Sequence, residues 1–152
     1  MKNAFLFVIF AVAFGMAGCS KSKKDSVPCT GSDVSFTNNV PFTLCYGSTA
    51  QGQDDTQTLE VKFFDVFGDS RCASDVICVW QGRVDVGVTY TFGSTVLSDT
   101  LSLGGLDADP KSDSTQFLNA KIKLLSVDPY PINADGPIPL EEYKIKLVVT
   151  SL

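Results

Sequence analysis

Apolar and polar residues alternate with a period of two along most of the chain after residue 41. In the clearest segment, RVDVGVTYTF at residues 83–92, one face carries Val84, Val86, Val88, Tyr90 and Phe92. This alternation is typical of a β-strand that buries one face. A Gly-Ser pair at 93–94 joins it to TVLSDTLSL, whose leucines share a face, so the two segments predict a β-hairpin.

Three further segments show related patterns. TLEVKFFDVF at 58–67 begins with alternation and changes phase at Phe64 and Val66, which predicts a bulge or a strand buried on both sides. AKIKLLSV at 120–127 and YKIKLVVTSL at 143–152 alternate regularly and place their lysines on the outer face. These segments therefore read as further strands.

Two polar or proline-rich segments separate the strands. GGLDADPKSDS at 104–114 predicts a loop, followed by a short helical turn near STQFLNAK at 114–121. DPYPINADGPIP at 128–139 contains four prolines, which exclude regular structure. Short strands with turn signals between them predict an all-β fold over residues 29–152, a single antiparallel β-sandwich that is immunoglobulin-like or a partly open barrel.

The N-terminal segment, MKNAFLFVIFAVAFGMAGCS, has the shape of a secretory signal peptide. Lys2 precedes an apolar run, and small residues lead into Cys19. The arrangement resembles a bacterial lipobox, with Met16 where a branched residue is usual. It predicts a signal peptide at 1–18 and lipidation of Cys19; an ordinary cleaved signal and an uncleaved anchor are the alternatives. Residues 19–28 are expected to comprise the lipidated cysteine and a flexible tether.

The net charge of the domain and its predicted compartment limit the kinds of partner that it can bind. From Cys29 onward the chain has 16 acidic and 8 basic residues, a net charge of −8, which argues against nucleic-acid binding. Ser20 after Cys19, and the basic KSKK of the tether, favour an outer-membrane lipoprotein on the periplasmic face. The expected partners are the membrane, through the anchor, and an envelope protein or glycan.

Four further cysteines remain, an even number in an exported chain: Cys29, Cys45, Cys72 and Cys78. An oxidising compartment favours disulfides, and short loop closure favours the pairs Cys72–Cys78 and Cys29–Cys45 among three possible connectivities. A metal site or a thiolate nucleophile is the alternative. Because the chain has no histidine, we expect neither, and we expect no cofactor.

The densest stretch is DSRCASDVICVWQG at residues 69–82, which contains the only tryptophan. Together with its flanking strands it resembles the signature D-S-R-C-P-x-x-V-x-C-x-W-x-G of an uncharacterised family of small bacterial envelope lipoproteins. Ala73 stands where that signature has proline. The resemblance implies a β-sandwich lipoprotein and carries no known activity.

The residues of this motif have a structural interpretation and a functional one. Structurally, a disulfide closes the loop, Trp80 points into the core, and Asp69 pairs with Arg71 or caps the loop. Gly82 permits a close backbone approach or a bulge. Functionally, an exposed Arg71 would be a receptor for anions or carboxylates. The structural interpretation is favoured.

Acidic residues offer weaker candidates. Asp107, Asp109 and Asp113 could supply oxygen ligands to calcium, but Lys111 interrupts the spacing, and a solvated turn is the simpler interpretation. Carboxylates of QDD at 53–55 or EE at 141–142 could form a catalytic pair for glycoside hydrolysis, yet nothing in their spacing selects one. Catalysis that needs histidine is excluded by composition.

The leading hypothesis is a lipid-anchored, non-catalytic envelope β-sandwich that binds another envelope component through its loops. Tyr130 and Ile138 in loop 128–139 are the first candidate contacts, and Asp69 and Arg71 in loop 69–78 the second. A passive role for loop 128–139 is the alternative at that site. Two other classes stay open, a sandwich that inhibits proteases and a small enzyme that depends on carboxylates alone.

Overall fold

The computed structural model describes residues 29, 33–54, 57–105, 113–133 and 136–152, which form an all-β sandwich as predicted. Its strands, in chain order, are β1 (Val34–Ser35), β2 (Phe42–Cys45), β3 (Thr49–Asp54), β4 (Gln57–Asp69), β5 (Arg83–Phe92), β6 (Thr95–Gly104), β7 (Ser114–Phe117), β8 (Ala120–Asp128) and β9 (Lys144–Ser151). A 3-10 turn at Leu140–Glu142 precedes β9.

The strands divide between two sheets. The first sheet has the order β1-β3-β4-β5-β6, and the second has the order β2-β9-β8-β7. The pairings are antiparallel except that β1 runs parallel to β3, a departure from the purely antiparallel sandwich that the sequence predicted. The chain crosses from one sheet to the other between β2 and β3, where Gly47 N–H donates to the Phe63 carbonyl at 2.9 Å.

The core lies between the sheets and follows the predicted alternation. In β5, Val84, Val86, Val88 and Tyr90 are fully buried, and they face fully buried side chains of the second sheet, among them Ile122, Leu124, Ile145 and Leu147. The lysines of β8 and β9 point outward and are exposed. Burial of these apolar faces is the main stabilising contribution to such a fold.

The phase change in β4 is a bulge, as predicted. The register with β5 shifts between Phe63 and Asp65 and again between Val66 and Gly68. As a result, Phe64 and Phe67 pack edge to face, with ring centroids 5.9 Å apart, and both rings lie over Gly87 of β5. Gly87 is therefore buried on the face of the strand that the sequence pattern assigned to solvent.

The short helical turn predicted near residues 114–121 is wrong. The segment forms β7 and the start of β8, joined by a two-residue turn at Leu118 and Asn119. Leu118 has a φ of 53°, in the left-handed region, which reverses the chain too tightly for a helix. By contrast, the hairpin predicted at Gly93 and Ser94 is confirmed, with Phe92 opposite Thr95.

Both favoured disulfides are present. Cys29 is bonded to Cys45, with Cα atoms 5.5 Å apart, and Cys72 is bonded to Cys78, with Cα atoms 5.9 Å apart. The first ties the start of the domain to the end of β2. The second closes a small ring in the connection between β4 and β5.

Candidate functional site

Two connections meet at one end of the sandwich. The first, here called the motif loop, is residues 70–82 between β4 and β5; the second, the companion loop, is residues 129–139 that lead from β8 towards β9. Ser74 N–H in the motif loop donates to the Pro131 carbonyl at 2.9 Å, and Asn133 N–H in the companion loop donates to the Asp75 carboxylate at 2.8 Å. The two loops that the sequence proposed as separate contact sites therefore form one surface.

The base of the motif loop continues the ladder between β4 and β5. Ser70 N–H donates to the Arg83 carbonyl at 2.8 Å, and Cys72 N–H donates to the Gln81 carbonyl at 3.0 Å. Gly82 has a φ of +63°, and a Cβ there would lie 1.8 Å from the Ser70 carbonyl oxygen. The close approach predicted for this glycine is thus confirmed, and no other residue fits the position.

Arg71 lies beneath the loop with its side chain only 8% exposed. Its Nε and Nη2 donate to the two carboxylate oxygens of Asp69 at 2.9 and 2.6 Å. Nη1 donates to the Val127 carbonyl at 2.5 Å, and Nη2 donates also to the Pro129 carbonyl at 2.9 Å. The guanidinium carbon lies 4.8 Å from the centre of the Tyr130 ring. Arg71 thus connects the two sheets and both loops, the geometry expected for a structural arginine.

Asp69 is equally enclosed, at 8% exposure. Burial by itself raises the pKa of this carboxyl, but hydrogen bonds from the Arg71 side chain and backbone, the charge of Arg71 and a hydrogen bond from Tyr143 outweigh it, so the pKa lies below its ordinary value. The Tyr143 hydroxyl donates to Asp69 at 3.0 Å. Burial, together with the Asp69 charge and this hydrogen bond, raises the pKa of Tyr143 to about 12.

The prediction that Trp80 points into the core is wrong, since its side chain is 69% exposed. The prediction rested on the tendency of a tryptophan in a sandwich to pack against a disulfide on the way into the next strand. However, β5 begins only at Arg83, and the left-handed backbone at Gly82 separates Trp80 from that strand. The tryptophan lies on the loop, outside the two sheets.

Trp80 belongs to a group of exposed apolar side chains, here called the apolar tip: Val76, Ile77, Val79 and Trp80. Ile77 and Val79 are almost wholly exposed, at 103% and 90%. Elsewhere the large exposed apolar residues are mostly dispersed, with a close pair at Val96 and Leu97 on the β5–β6 hairpin. Concentrated apolar exposure on a soluble surface is the usual mark of a contact site.

Sequence reasoning did not select Val76, Ile77 or Val79. A signal was available in the segment VICVW, residues 76–80, which has no charge and no alternation. Val76 and Ile77 lie inside the ring closed by the Cys72–Cys78 disulfide, Val79 follows it directly, and all three side chains are exposed. Tyr143 was also missed, because its partner Asp69 is 74 residues away in sequence.

The other predicted contact residues are placed as follows. Tyr130 is half exposed, at 46%, and its ring covers Arg71. Ile138 is partly buried and packs against the core. A cavity of about 230 Å³ opens between the loops, lined by Arg71, Gln81, Gly82, Val84, Leu103, Gly104, Ser126, Val127, Asp128 and Tyr130.

That cavity has a mixed lining with one carboxylate, Asp128, so the pair that a carboxylate-dependent enzyme needs does not meet there. Among the described residues, no three His, Cys, Asp or Glu side chains cluster as a metal site would require. Asp113 forms an ion pair with Lys123 at 3.2 Å.

Several predictions fall on residues outside those that the structure describes. They are the signal peptide at 1–18, the lipidated Cys19, the tether that follows it, and Asp55, Asp107 and Asp109. Within the described ranges there is no helix of the length and apolar character needed to span a membrane.

The fold and this surface define a two-disulfide β-sandwich with an apolar loop at one end. Comparisons with protein-family models, with curated proteins and with solved structures each found no match. The resemblance of the motif to an envelope lipoprotein signature therefore stays a prediction.

Proposed function

We propose that this chain is a lipid-anchored, non-catalytic protein of the bacterial cell envelope. Cys19 would hold it at the periplasmic face of the outer membrane, and its loops would bind another envelope component. The N-terminal sequence and the two disulfides support export. The net charge of −8 from Cys29 onward argues against a nucleic-acid partner.

The observation that carries the binding role is the exposure of the apolar tip. An isoleucine, a valine and a tryptophan are kept in solvent by a loop that a disulfide, a backbone ladder and a buried Arg71 all hold in place. A loop held in this way loses little conformational freedom on binding, which favours affinity. Trp is also among the residues most enriched at binding hot spots.

The anchor is tested by expressing the full chain in a bacterium and comparing wild type with Cys19→Ser. We expect the wild type to carry a fatty-acyl group on Cys19 by mass spectrometry and to sediment with membranes, and we expect the variant to do neither. An acylated Cys19→Ser variant, or an unmodified wild type, contradicts the anchor.

Loop binding is tested in the same cells with a photo-crosslinking amino acid at Ile77. We expect adducts with an envelope component at this position. The matched control is the same substitution at Val96, which is 62% exposed on the hairpin at the opposite end of β5 and β6. Equal adduct formation at both positions, or none at Ile77, contradicts a binding role for the motif loop.

A further inference from the structure

The end of the sandwich that carries the apolar tip is also the end at which the N-terminal segment joins the domain. Cys29 is bonded to Cys45, and the next residue, Tyr46, donates its N–H to the Tyr143 carbonyl at 2.9 Å. The hydroxyl of Tyr143 in turn reaches Asp69, the last residue of β4 before the motif loop. A short series of direct contacts therefore joins the attachment point to the base of that loop.

The length of chain before this point limits how far the domain can lie from its anchor. Ten peptide steps separate Cys19 from Cys29, and a fully extended chain of that length spans at most roughly 35 Å. The Cys29–Cys45 disulfide holds the first described residue beside the end of β2, so the N-terminal segment joins the sandwich at this end. If Cys19 bears lipid, that end stays close to the bilayer surface.

The chemistry of the tip matches such a surface. The segment from Val76 to Trp80 has no charged side chain, and tryptophan is enriched where a protein meets the membrane–water interface. The rest of the domain has a strong net negative charge, so it gains nothing from entering the headgroup layer. An uncharged, exposed apolar tip on a domain of net negative charge suits a domain that touches lipid through the tip alone.

We propose that the apolar tip contacts the bilayer that holds the Cys19 anchor, with Ile77, Val79 and Trp80 seated in its interfacial layer. This inference rests on the proposed lipid anchor and names the bilayer as the component that the loop binds. A single lipid attachment leaves a domain free to tumble on its tether, whereas a second contact at the same end restricts its orientation.

The experiment uses Trp80 as the probe, because it is the only tryptophan in the chain. The full chain, purified from membranes with its lipid, is reconstituted into vesicles of phosphatidylcholine and phosphatidylethanolamine whose acyl chains carry bromine near the headgroup. Bromine quenches tryptophan only at close range. We expect a blue-shifted emission and a several-fold loss of intensity relative to vesicles without bromine.

Two variants test whether the tip itself makes the contact. Ile77→Asp combined with Val79→Asp places charge at the tip and should abolish the blue shift and the quenching while the protein still floats with the vesicles. Val96→Asp places a charge on an exposed valine at the opposite end of the sandwich and should leave both signals unchanged. Loss of quenching in both variants contradicts a specific role for the tip.

Flotation of every sample with the vesicles distinguishes a failure of the lipid anchor from a failure of the bilayer contact. A wild type that floats with its lipid but shows unquenched Trp80 overturns the bilayer contact alone and leaves the anchor standing. A wild type that bears no lipid at Cys19 and does not float overturns the anchor and the bilayer contact together. Crosslinks from position 77 to protein rather than to lipid, including a second copy of this chain, also overturn the bilayer contact.

Discussion

At the scale of single residues, the most informative feature is the buried ion pair of Asp69 and Arg71, whose arginine also binds the opposite sheet. Arg71 donates to the carboxylate of Asp69 at the end of β4, to the carbonyl of Val127 on the other sheet and to the carbonyl of Pro129 in the companion loop. A charge enclosed in this way stabilises the fold only while its partners remain, since an unpaired buried charge is strongly unfavourable.

Arg71→Ala should therefore lower the free energy of unfolding by about 3–5 kcal/mol, because Asp69 is left buried without its partner. In a domain of this size the melting temperature should fall by roughly ten degrees or more. Arg71→Lys should recover little, since an ammonium cannot reproduce the planar fork. The control is Lys123→Ala, which removes a half-exposed ion pair with Asp113 and should cost about 1 kcal/mol or less. An unchanged melt for Arg71→Ala would mean that the network does not support the fold.

Asp69 should make the free energy of unfolding depend on pH in the acidic range. Its pKa in the folded state lies below the ordinary value of 3.8, so its contribution to stability is complete above about pH 4 and decreases as the pH falls further. Asp69→Asn should flatten this part of the pH profile, measured by urea unfolding between neutral and acidic pH. Val96→Ala, which removes no titratable group and lies at an exposed position, is the control and should leave the slope unchanged. An acid slope identical in wild type and Asp69→Asn contradicts this assignment.

At the scale of elements, the motif loop is defined by its disulfide and by its glycine. The ladder at its base places the Ser70 carbonyl where a side chain at position 82 would otherwise lie. The disulfide then closes the ring above that base.

Gly82→Ala should be strongly destabilising, by several kcal/mol, because the new methyl overlaps backbone and the φ of +63° is unfavourable for alanine. Chemical denaturation measures the loss. Gly68→Ala, at a position in β4 where a Cβ would meet no other atom within 4 Å, is the matched control and should be close to neutral. Equal effects of the two substitutions would contradict the close approach at Gly82.

Removing either disulfide should lower the free energy of unfolding, because the unfolded chain gains conformational entropy when the cross-link is lost. Loop-closure entropy predicts about 2.4 kcal/mol for Cys72→Ala with Cys78→Ala, and about 3.1 kcal/mol for Cys29→Ala with Cys45→Ala. Urea unfolding of the two double variants, each compared with the oxidised wild type, checks both values. Wild-type midpoints that do not change on reduction would show that neither disulfide contributes.

At the scale of the whole molecule, both sheets share one hydrophobic core. Leu101 of β6 and Ile122 of β8 come from different sheets, and each is essentially inaccessible to solvent. Leu101→Ala and Ile122→Ala should each lower the free energy of unfolding by about 2–5 kcal/mol. Both should shift a single denaturation transition without changing its slope, as expected for one cooperative unit.

Val96→Ala serves as the control for these core variants, because Val96 is exposed on the β5–β6 hairpin, and its effect should be within about 0.5 kcal/mol. Far-UV circular dichroism follows the sheets, and Trp80 fluorescence follows the motif loop. Two separate transitions in either core variant would contradict a shared core.

The architecture was predictable because alternation is a local property. In β5, Val84, Val86, Val88 and Tyr90 are fully buried, and the phase change at Phe64 marks a bulge. The disulfide pairs followed from short loop closure and the absence of histidine. These features depend on residues close together in sequence.

Contacts between residues far apart in sequence could not be predicted from the sequence and are seen only in the tertiary structure. The Arg71 side chain is buried rather than exposed because it meets the carbonyl of Val127, which lies near the end of β8 and 56 residues later in the chain. The helical turn expected near residue 118 became a hairpin because β7 and β8 pair. Trp80 lies outside the core, because β5 begins only at Arg83 and the left-handed backbone at Gly82 leaves the tryptophan on the loop.

Periodicity in the sequence was thus enough to predict the five longest-patterned strands β4, β5, β6, β8 and β9 and the pairing of the cysteines, whereas β1, β2, β3 and β7 were not predicted as strands. The tertiary structure decided that the motif loop and the companion loop share one surface, and that this surface presents an apolar tip beside the N-terminal attachment. The physical reason is that strand formation follows from local periodicity, whereas exposure at the end of a sandwich depends on how strand ends from both sheets come together.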